Sequence, residues 1–278
     1  MSAPHSQTKQ ALQLSEEFWN AAAERYEQVF TGTSVGRMWR EAVWRELDAS
    51  FRAGSRVLEI NCGTGIDAIH LAQRAVSVVA CDISPRMIEI ARKKARSVDR
   101  SGLLDFRVLA TEDLPALEEK RSFEGAFSNF SGLNCVRDLA GVSRNLARLL
   151  KPSSPVLLCL MGRFSVTGKL WRMARGHRKS AQASSRQASV DGGVVVYHRS
   201  RRQMASLFAP HFRLRRWKAI GLAVPPSFME DWAVAFPRFT RGLNRVDHLV
   251  GGLPLFRSLG SCTLYEFERS AERWRGND

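Results

Sequence analysis

A chain of 278 residues with 44% hydrophobic and 25% charged residues and a formal net charge of +15 is long enough to bury one large α/β core with an appended cap. No run approaches the ~20 uncharged apolar residues of a membrane-spanning helix, and Ser2 to Gln13 lacks the apolar centre of an export signal, so the expected location is cytoplasmic. The cysteines Cys62, Cys81, Cys135, Cys159 and Cys262 show no CxxC spacing, which favours buried reduced thiols over ligation; no metal is expected.

In chain order, Phe18 to Tyr26 has helical spacing, with Phe18, Ala22 and Tyr26 on one face suited to packing against a domain. Apolar runs at Arg56–Asn61, Val76–Asp82, Leu103–Leu109, Gly125–Phe130 and Pro155–Met161 read as buried strands, with amphipathic stretches between them as helices. Such alternation implies a parallel, doubly wound sheet. Between the first strand and its helix lies Asn61-Cys62-Gly63-Thr64-Gly65, a turn in which glycine permits unusual φ and close approach of a ligand to the backbone. Asp82 ends the second strand, where a carboxylate can accept from both hydroxyls of a ribose. Glu59, inside the first strand, is costly unless something nearby uses it. The dinucleotide pattern G-x-G-x-x-G fits this turn in neither register. The fourth strand ends in Ser128 to Cys135, which are expected to line the space between cofactor and acceptor, because ligands of open α/β sheets bind outside the carboxyl ends of strands. Asn129 falls on the cofactor side, and Asn134 is a candidate to orient an acceptor. The helix Asp138–Leu150 stops before Pro152, and Val194–Tyr197, Phe212–Ile220 and Thr263–Glu268 read as further strands.

The segment Val57 to Gly65 resembles the first motif of the class I S-adenosyl-L-methionine (SAM)-dependent methyltransferases, [V/I]-L-[D/E]-x-G-x-G-x-G, with Asn61 in place of the first glycine. Ser84 to Ala91 is similar to that family's D-x-S-x-x-M-[I/L]-x-x-A helix start, and Thr111 to Pro115 to its A-E-D-L-P loop. The resemblance covers about Ser55 to Gly162 and part of the N-terminus. It implies a Rossmann-like seven-stranded sheet, mostly parallel with an antiparallel C-terminal hairpin, plus helical cap insertions. It also implies SAM as cofactor and S-adenosyl-L-homocysteine as product. The residues it assigns to the cofactor are Glu59, Asn61, Cys62, Gly63 and Gly65 around the turn, Asp82 on the ribose, Ile83 beside the adenine, and Met87. The family's adenine-binding Asp is replaced by Ala110, which shifts that task to Glu112, to backbone around Thr111, or to water. Trp19, Ala23 and Tyr26 match a W-x-x-x-A-x-x-Y lid helix whose Tyr approaches SAM.

Thirteen Lys/Arg against one acid, Asp191, lie between Arg163 and Arg216. A solvated face, an anionic-substrate funnel and a phosphate-binding surface for RNA or membrane all fit such a segment. Few stacking aromatics are interleaved with it, which disfavours nucleic acid. No proline lies between Pro115 and Pro152, so the [D/N]-P-P-[Y/F] motif of exocyclic-amine methyltransferases is absent. Residues 222–258, rich in apolar side chains including Phe228 and Trp232, read either as a cap over a hydrophobic acceptor or, with Arg238, Arg241 and Arg245, as a docking surface. The expected organisation is a helical lid (1–50), a SAM-binding core (51–162), a basic insertion (163–198) and a C-terminal completion of the sheet (199–278). His198 and His248 are the candidate general bases, and Phe228, Trp232 and Asn134 the candidate acceptor contacts. The expected function is methyl transfer from SAM to a small hydrophobic or aromatic acceptor at O, C or N. An RNA-modifying enzyme and a SAM-binding protein without transfer are the alternatives, and the oligomeric state is left open.

Overall fold

The structure, a computed structural model, describes residues 4–98, 102–130, 132–162, 187–189, 194–226 and 229–271. Its strands are β1 (Arg56–Ile60), β2 (Ser77–Asp82), β3 (Leu104–Val108), β4 (Gly125–Ser128), β5 (Pro155–Met161), β6 (Gln187–Ser189), β7 (Val195–Tyr197), β8 (Phe212–Ile220) and β9 (Cys262–Arg269). Seven of them form one sheet in the order β3-β2-β1-β4-β5-β9-β8. β1 to β5 pair in parallel, and β9 pairs antiparallel with both β5 and β8, so β9 runs against the rest. This is the mostly parallel sheet with a closing antiparallel hairpin expected from the sequence. β6 and β7 form a separate antiparallel ribbon, so Val194–Tyr197 does not join the main sheet.

Strands buried on both faces need nearly continuous apolar sequence, and β1, β2, β4 and β5 have it. Alternate side chains feed two cores. Val57, Val78, Phe127 and Leu157 pack with α2 (Ser34–Ser50), α3 (Ile66–Ala72) and α4 (Pro85–Ala95). Leu58, Val79, Ala126 and Leu158 pack with α5 (Leu139–Leu149) and α6 (Arg201–Phe208). Side-chain caps fix the helix starts: Thr33 accepts from the Gly36 N–H, Ser84 from Met87, Asp138 from Gly141, and Ser200 with Gln203 forms a capping box.

α1 (Pro4–Tyr26) ends in a π-helical turn, Glu27–Thr31, which leads into α2. Its Asn20 carboxamide oxygen accepts from the Ser84 hydroxyl at 2.6 Å, and its Glu24 pairs with Arg86, which holds α1 against the start of α4. The 221–261 insertion carries α7 (Glu230–Ala235) and α8 (Pro237–Val250). One carboxylate ties it to the fold, Glu230, which accepts from the Ser34 and Val35 N–H groups at the start of α2, while buried Asp247 closes the insertion on itself by accepting from those of Leu222, Ala223 and Val224. The insertion packs on α2 and β8 while Val234, Phe236, Phe239 and Leu249 face outward, which corrects the expectation of an apolar cap turned towards an acceptor. Of the basic insertion, 163–186 and 190–193 lie outside the described residues. Among the described residues no helix is long and apolar enough to cross a membrane.

Candidate functional site

The carboxyl ends of β1, β2 and β4 meet at a cavity of about 530 Å³, within the ~300–1,000 Å³ common for small-molecule sites. Its floor is the glycine turn. Asn61, Gly63 and Gly65 all have left-handed backbone, at φ 57°, 53° and 72°. Asparagine tolerates that region better than other side-chain-bearing residues, and its carboxamide also donates to the Thr111 hydroxyl at 2.9 Å. Gly65 does not line the cavity. A Cβ there would come within 2.6 Å of Phe106 and 2.8 Å of Ala91, so this glycine serves the packing of the turn on β3 and α4. Gly65→Ala combines that overlap with left-handed strain and is expected to destabilise the fold by about 2–4 kcal/mol. A denaturation midpoint within error of wild type is the contrary result.

Asp82 is buried at the tip of β2 and accepts from the Gly63 N–H at 2.8 Å and the Ser84 N–H at 2.9 Å. Burial pushes its carboxyl up, while the backbone N–H groups of Ser84, Gly63 and Ile83 oppose the shift. The same carboxylate therefore orders the turn and opens on the cavity. Ser84, which caps α4, and Pro85 at its first turn explain the local S-P-x-M pattern and set Met87 in the cavity wall.

The opposite wall comes from the N-terminal helices. Leu14, Trp19 and Tyr26 of α1 line the cavity. Tyr26 lies edge-on to Trp19 at 6.4 Å, and desolvation raises its phenol to about 12, so it stays protonated. Glu27 in the π turn accepts from the Thr64 hydroxyl at 2.5 Å and pairs with Lys94 at 2.6 Å, which joins the end of α1 to the glycine turn. In α2, Arg40 is buried, pairs with Asp67 at 2.6 Å and stacks over Phe130 at 4.8 Å. Asp67 also accepts from Trp44 Nε1 at 2.7 Å and Asn129 Nδ2 at 3.0 Å. Arg40 Nε and Asn129 Oδ1 are buried polar atoms with no hydrogen-bond partner in the structure, and both residues line the cavity.

Ten of the expected cofactor contacts line this space together: Tyr26, Asn61, Cys62, Gly63, Asp82, Ile83, Met87, Thr111, Glu112 and Asn129. Burial pushes the Glu112 carboxyl up. The other expected site residues lie elsewhere. Glu59 sits beneath the turn, where it accepts from the Ala68 N–H in α3; burial first, and then Asp67, hold it well above the usual carboxylate range. Asn134 is fully buried and bonds to the Met161 N–H and the Tyr197 carbonyl, which corrects an acceptor contact to a tie between β5 and β7. Tyr197 reaches the cavity wall but His198 does not. His248 lies 2.6 Å from Arg45 on the far side of α2, and Trp232 packs against Phe236 and Phe239, so neither reaches the cavity. Phe228 lies outside the described residues. Arg40, Asp67, Thr64 and the Gln10–Ser15 stretch are wall residues that the motif reading passed over. Arg40 carried a signal, a lone charge on the apolar face of α2 beside Trp39, Val43 and Leu47.

Sheet order, glycine turn and strand-end carboxylate together define a Rossmann-like domain. Residues 57–153 match the family described as "Methyltransferase domain", and the segment is similar to class I SAM-dependent methyltransferases. The ubiquinone biosynthesis O-methyltransferase of Xanthomonas oryzae pv. oryzae is 35% identical over 111 residues, 40% of this chain and 45% of that protein. The demethylmenaquinone methyltransferase of Clavibacter sepedonicus is 31% identical over 154 residues, 55% of this chain and 59% of that protein. The chain thus spans about half the length of these curated relatives. Among solved structures, the Burkholderia thailandensis 1,6-didemethyltoxoflavin-N1-methyltransferase, with bound 1,6-didemethyltoxoflavin and S-adenosylhomocysteine, shares the fold. Its TM-score is 0.59 at 15% identity, over 98% of this chain and 92% of that one.

Proposed function

We propose that this chain binds SAM in the 530 Å³ cavity and transfers its methyl group to a small apolar or aromatic acceptor. The observation that carries the reading is that Asp82 and Arg40 open on one cavity, an acceptor for a ribose diol and a buried cation for an amino-acid carboxylate. Unpartnered Arg40 Nε and Asn129 Oδ1 fit a polar ligand of this kind. Asp82 would hold the ribose, Ile83 and Met87 would flank the adenine with Thr111 and Glu112 near its edge, and Arg40 would take the carboxylate. Leu12, Leu14, Val136, Val194 and Val195 supply an apolar remainder of wall suited to the acceptor.

SAM supplies an electrophilic methyl on a sulfonium, so transfer is an in-line displacement in which positioning and exclusion of water do most of the work. The residues here are suited to that division. Among the described residues no histidine lines the cavity, and Tyr26, held protonated, acts as a donor rather than a base. Tyr26→Phe keeps the ring contacts and removes the hydroxyl, so the KM for SAM is expected to rise about three- to tenfold with the melting temperature unchanged. Equal KM and turnover would reduce Tyr26 to packing. The reading itself is tested by incubating the chain with methyl-labelled SAM against fractionated small metabolites and total RNA. Label in an organic-soluble metabolite is the expected result; label in RNA, or in neither, overturns it. A tailoring step of small-molecule biosynthesis would suit this chemistry.

A further inference from the structure

The 221–261 insertion carries a second surface, remote in composition from the cleft. Val234, Phe236, Phe239, Leu249 and Leu255 are between 54% and 81% exposed within a short stretch of chain, well beyond the isolated apolar side chains any surface shows. At ~100° per residue, Phe239, Val246 and Leu249 fall along one side of the outer face of α8, and Arg238, Arg241 and Arg245 fall alongside them. The inner face is marked by buried Thr240 and Asp247. Trp232 extends the apolar side, with its ring 5.4 Å from Phe236 and 5.7 Å from Phe239. The acids of the two helices are mostly turned to other tasks: Glu230 holds the start of α2 and Asp247 the 222–224 backbone, which leaves Asp231 as the exposed one.

We infer that this face docks on an anionic lipid bilayer. An apolar stripe beside a row of guanidinium groups matches the layered boundary of a membrane, with aromatic and aliphatic side chains entering the acyl edge and arginines at the phosphates. A second copy of the chain is a poorer occupant. A two-fold pairing sets the same patch against itself and brings the row Arg238, Arg241 and Arg245 towards its own like charge. The chain's +15 net charge favours an anionic partner further. The insertion leaves the sheet at the carboxyl end of β8, the same end of the sheet at which the cleft opens. This inference does not rest on the methyl-transfer reading.

The test is co-sedimentation of the full chain with phosphatidylcholine vesicles with and without phosphatidylglycerol. Binding to the anionic vesicles that weakens with salt, and little binding to the neutral ones, is expected. Replacing Arg238, Arg241 or Arg245 by Gln lowers the partition coefficient about fivefold for each residue changed. The double variant Phe239→Ser/Leu249→Ser lowers it at least about tenfold. All these positions are exposed, so the variants should melt as wild type does and keep wild-type SAM affinity by calorimetry. Three outcomes overturn the inference: no binding of wild type to anionic vesicles; patch variants that bind as wild type does, which moves the contact to another basic segment; and a dimer in solution abolished by the double variant, which makes the occupant a second copy.

Discussion

Asp82→Ala lowers SAM affinity by about a hundredfold or more, measured by calorimetry. Two hydrogen bonds from ribose hydroxyls to an ionised, desolvated acceptor are each worth about 1.5–3 kcal/mol, and about 3 kcal/mol is a factor near 150. The loss also leaves the Gly63 and Ser84 N–H groups without their carboxylate, so the turn meets the ligand less ordered. Asp82→Asn separates the two effects: it keeps one acceptor oxygen and most of the shape, and falls between wild type and Ala. Wild-type affinity in Asp82→Ala would remove the ribose assignment. The same carboxyl sets a pH signature. Burial raises it above the ordinary aspartate value near 3.9, so SAM affinity, full above the raised value, declines on acidification sooner than an exposed aspartate would cause. Stability of the ligand-free chain moves the other way. A carboxyl that binds its proton more tightly when folded stabilises the fold at low pH, and that contribution is lost as pH rises through the folded value. Asp82, Glu59 and Glu112 all act in this direction.

Arg40→Met is the second large effect, and it falls on the fold as well as the site. Its side chain keeps the length but removes the guanidinium, so the buried Asp67 carboxylate loses its ion pair and retains only Trp44 Nε1 and Asn129 Nδ2. Removing one partner of a buried pair costs about 3–5 kcal/mol, mostly through the charge left behind. The double variant Arg40→Met/Asp67→Asn recovers most of this loss in a denaturation cycle, because no uncompensated charge remains. SAM affinity is expected to stay low in both variants, since neither restores a cation for the ligand's carboxylate. A single variant as stable as wild type would show that Asp67 is held neutral or solvated, contrary to the geometry.

The core was readable because parallel strands carry the same apolar run on both faces, and each helix start is announced by a side chain that caps it. Ser84 and Asp138 are such residues, and both fall where the sequence breaks from strand or loop into amphipathic spacing. Asp82 and the glycine turn were readable because their residue types are dictated by backbone conformation and by the chemistry of a diol. The acceptor side was not. Composition shows that residues 222–258 are apolar but not which way that apolarity turns, and here it turns to solvent. Asn134 shows the same limit: an asparagine after a strand end looks free to meet a ligand until two strands close around it. Arg40 escaped for the opposite reason, because its helix lies outside the motifs and its importance appears only when α3 brings Asp67 against it.

The strand order has a consequence for how the chain acquires its shape. β9 is the last strand in sequence, yet it sits between β5 and β8, and reaching that slot closes the long 221–261 excursion. Until residues 262–269 have emerged from the ribosome, β5 is an unprotected edge along Val156 to Leu160, one of the most apolar runs in the molecule. Such an edge is a template for intermolecular strand pairing, and non-local closure of this kind is slow. Synthesis of this protein therefore includes an interval in which a nearly complete parallel half of the sheet carries an open flank, and chains shortened before Cys262 remain there.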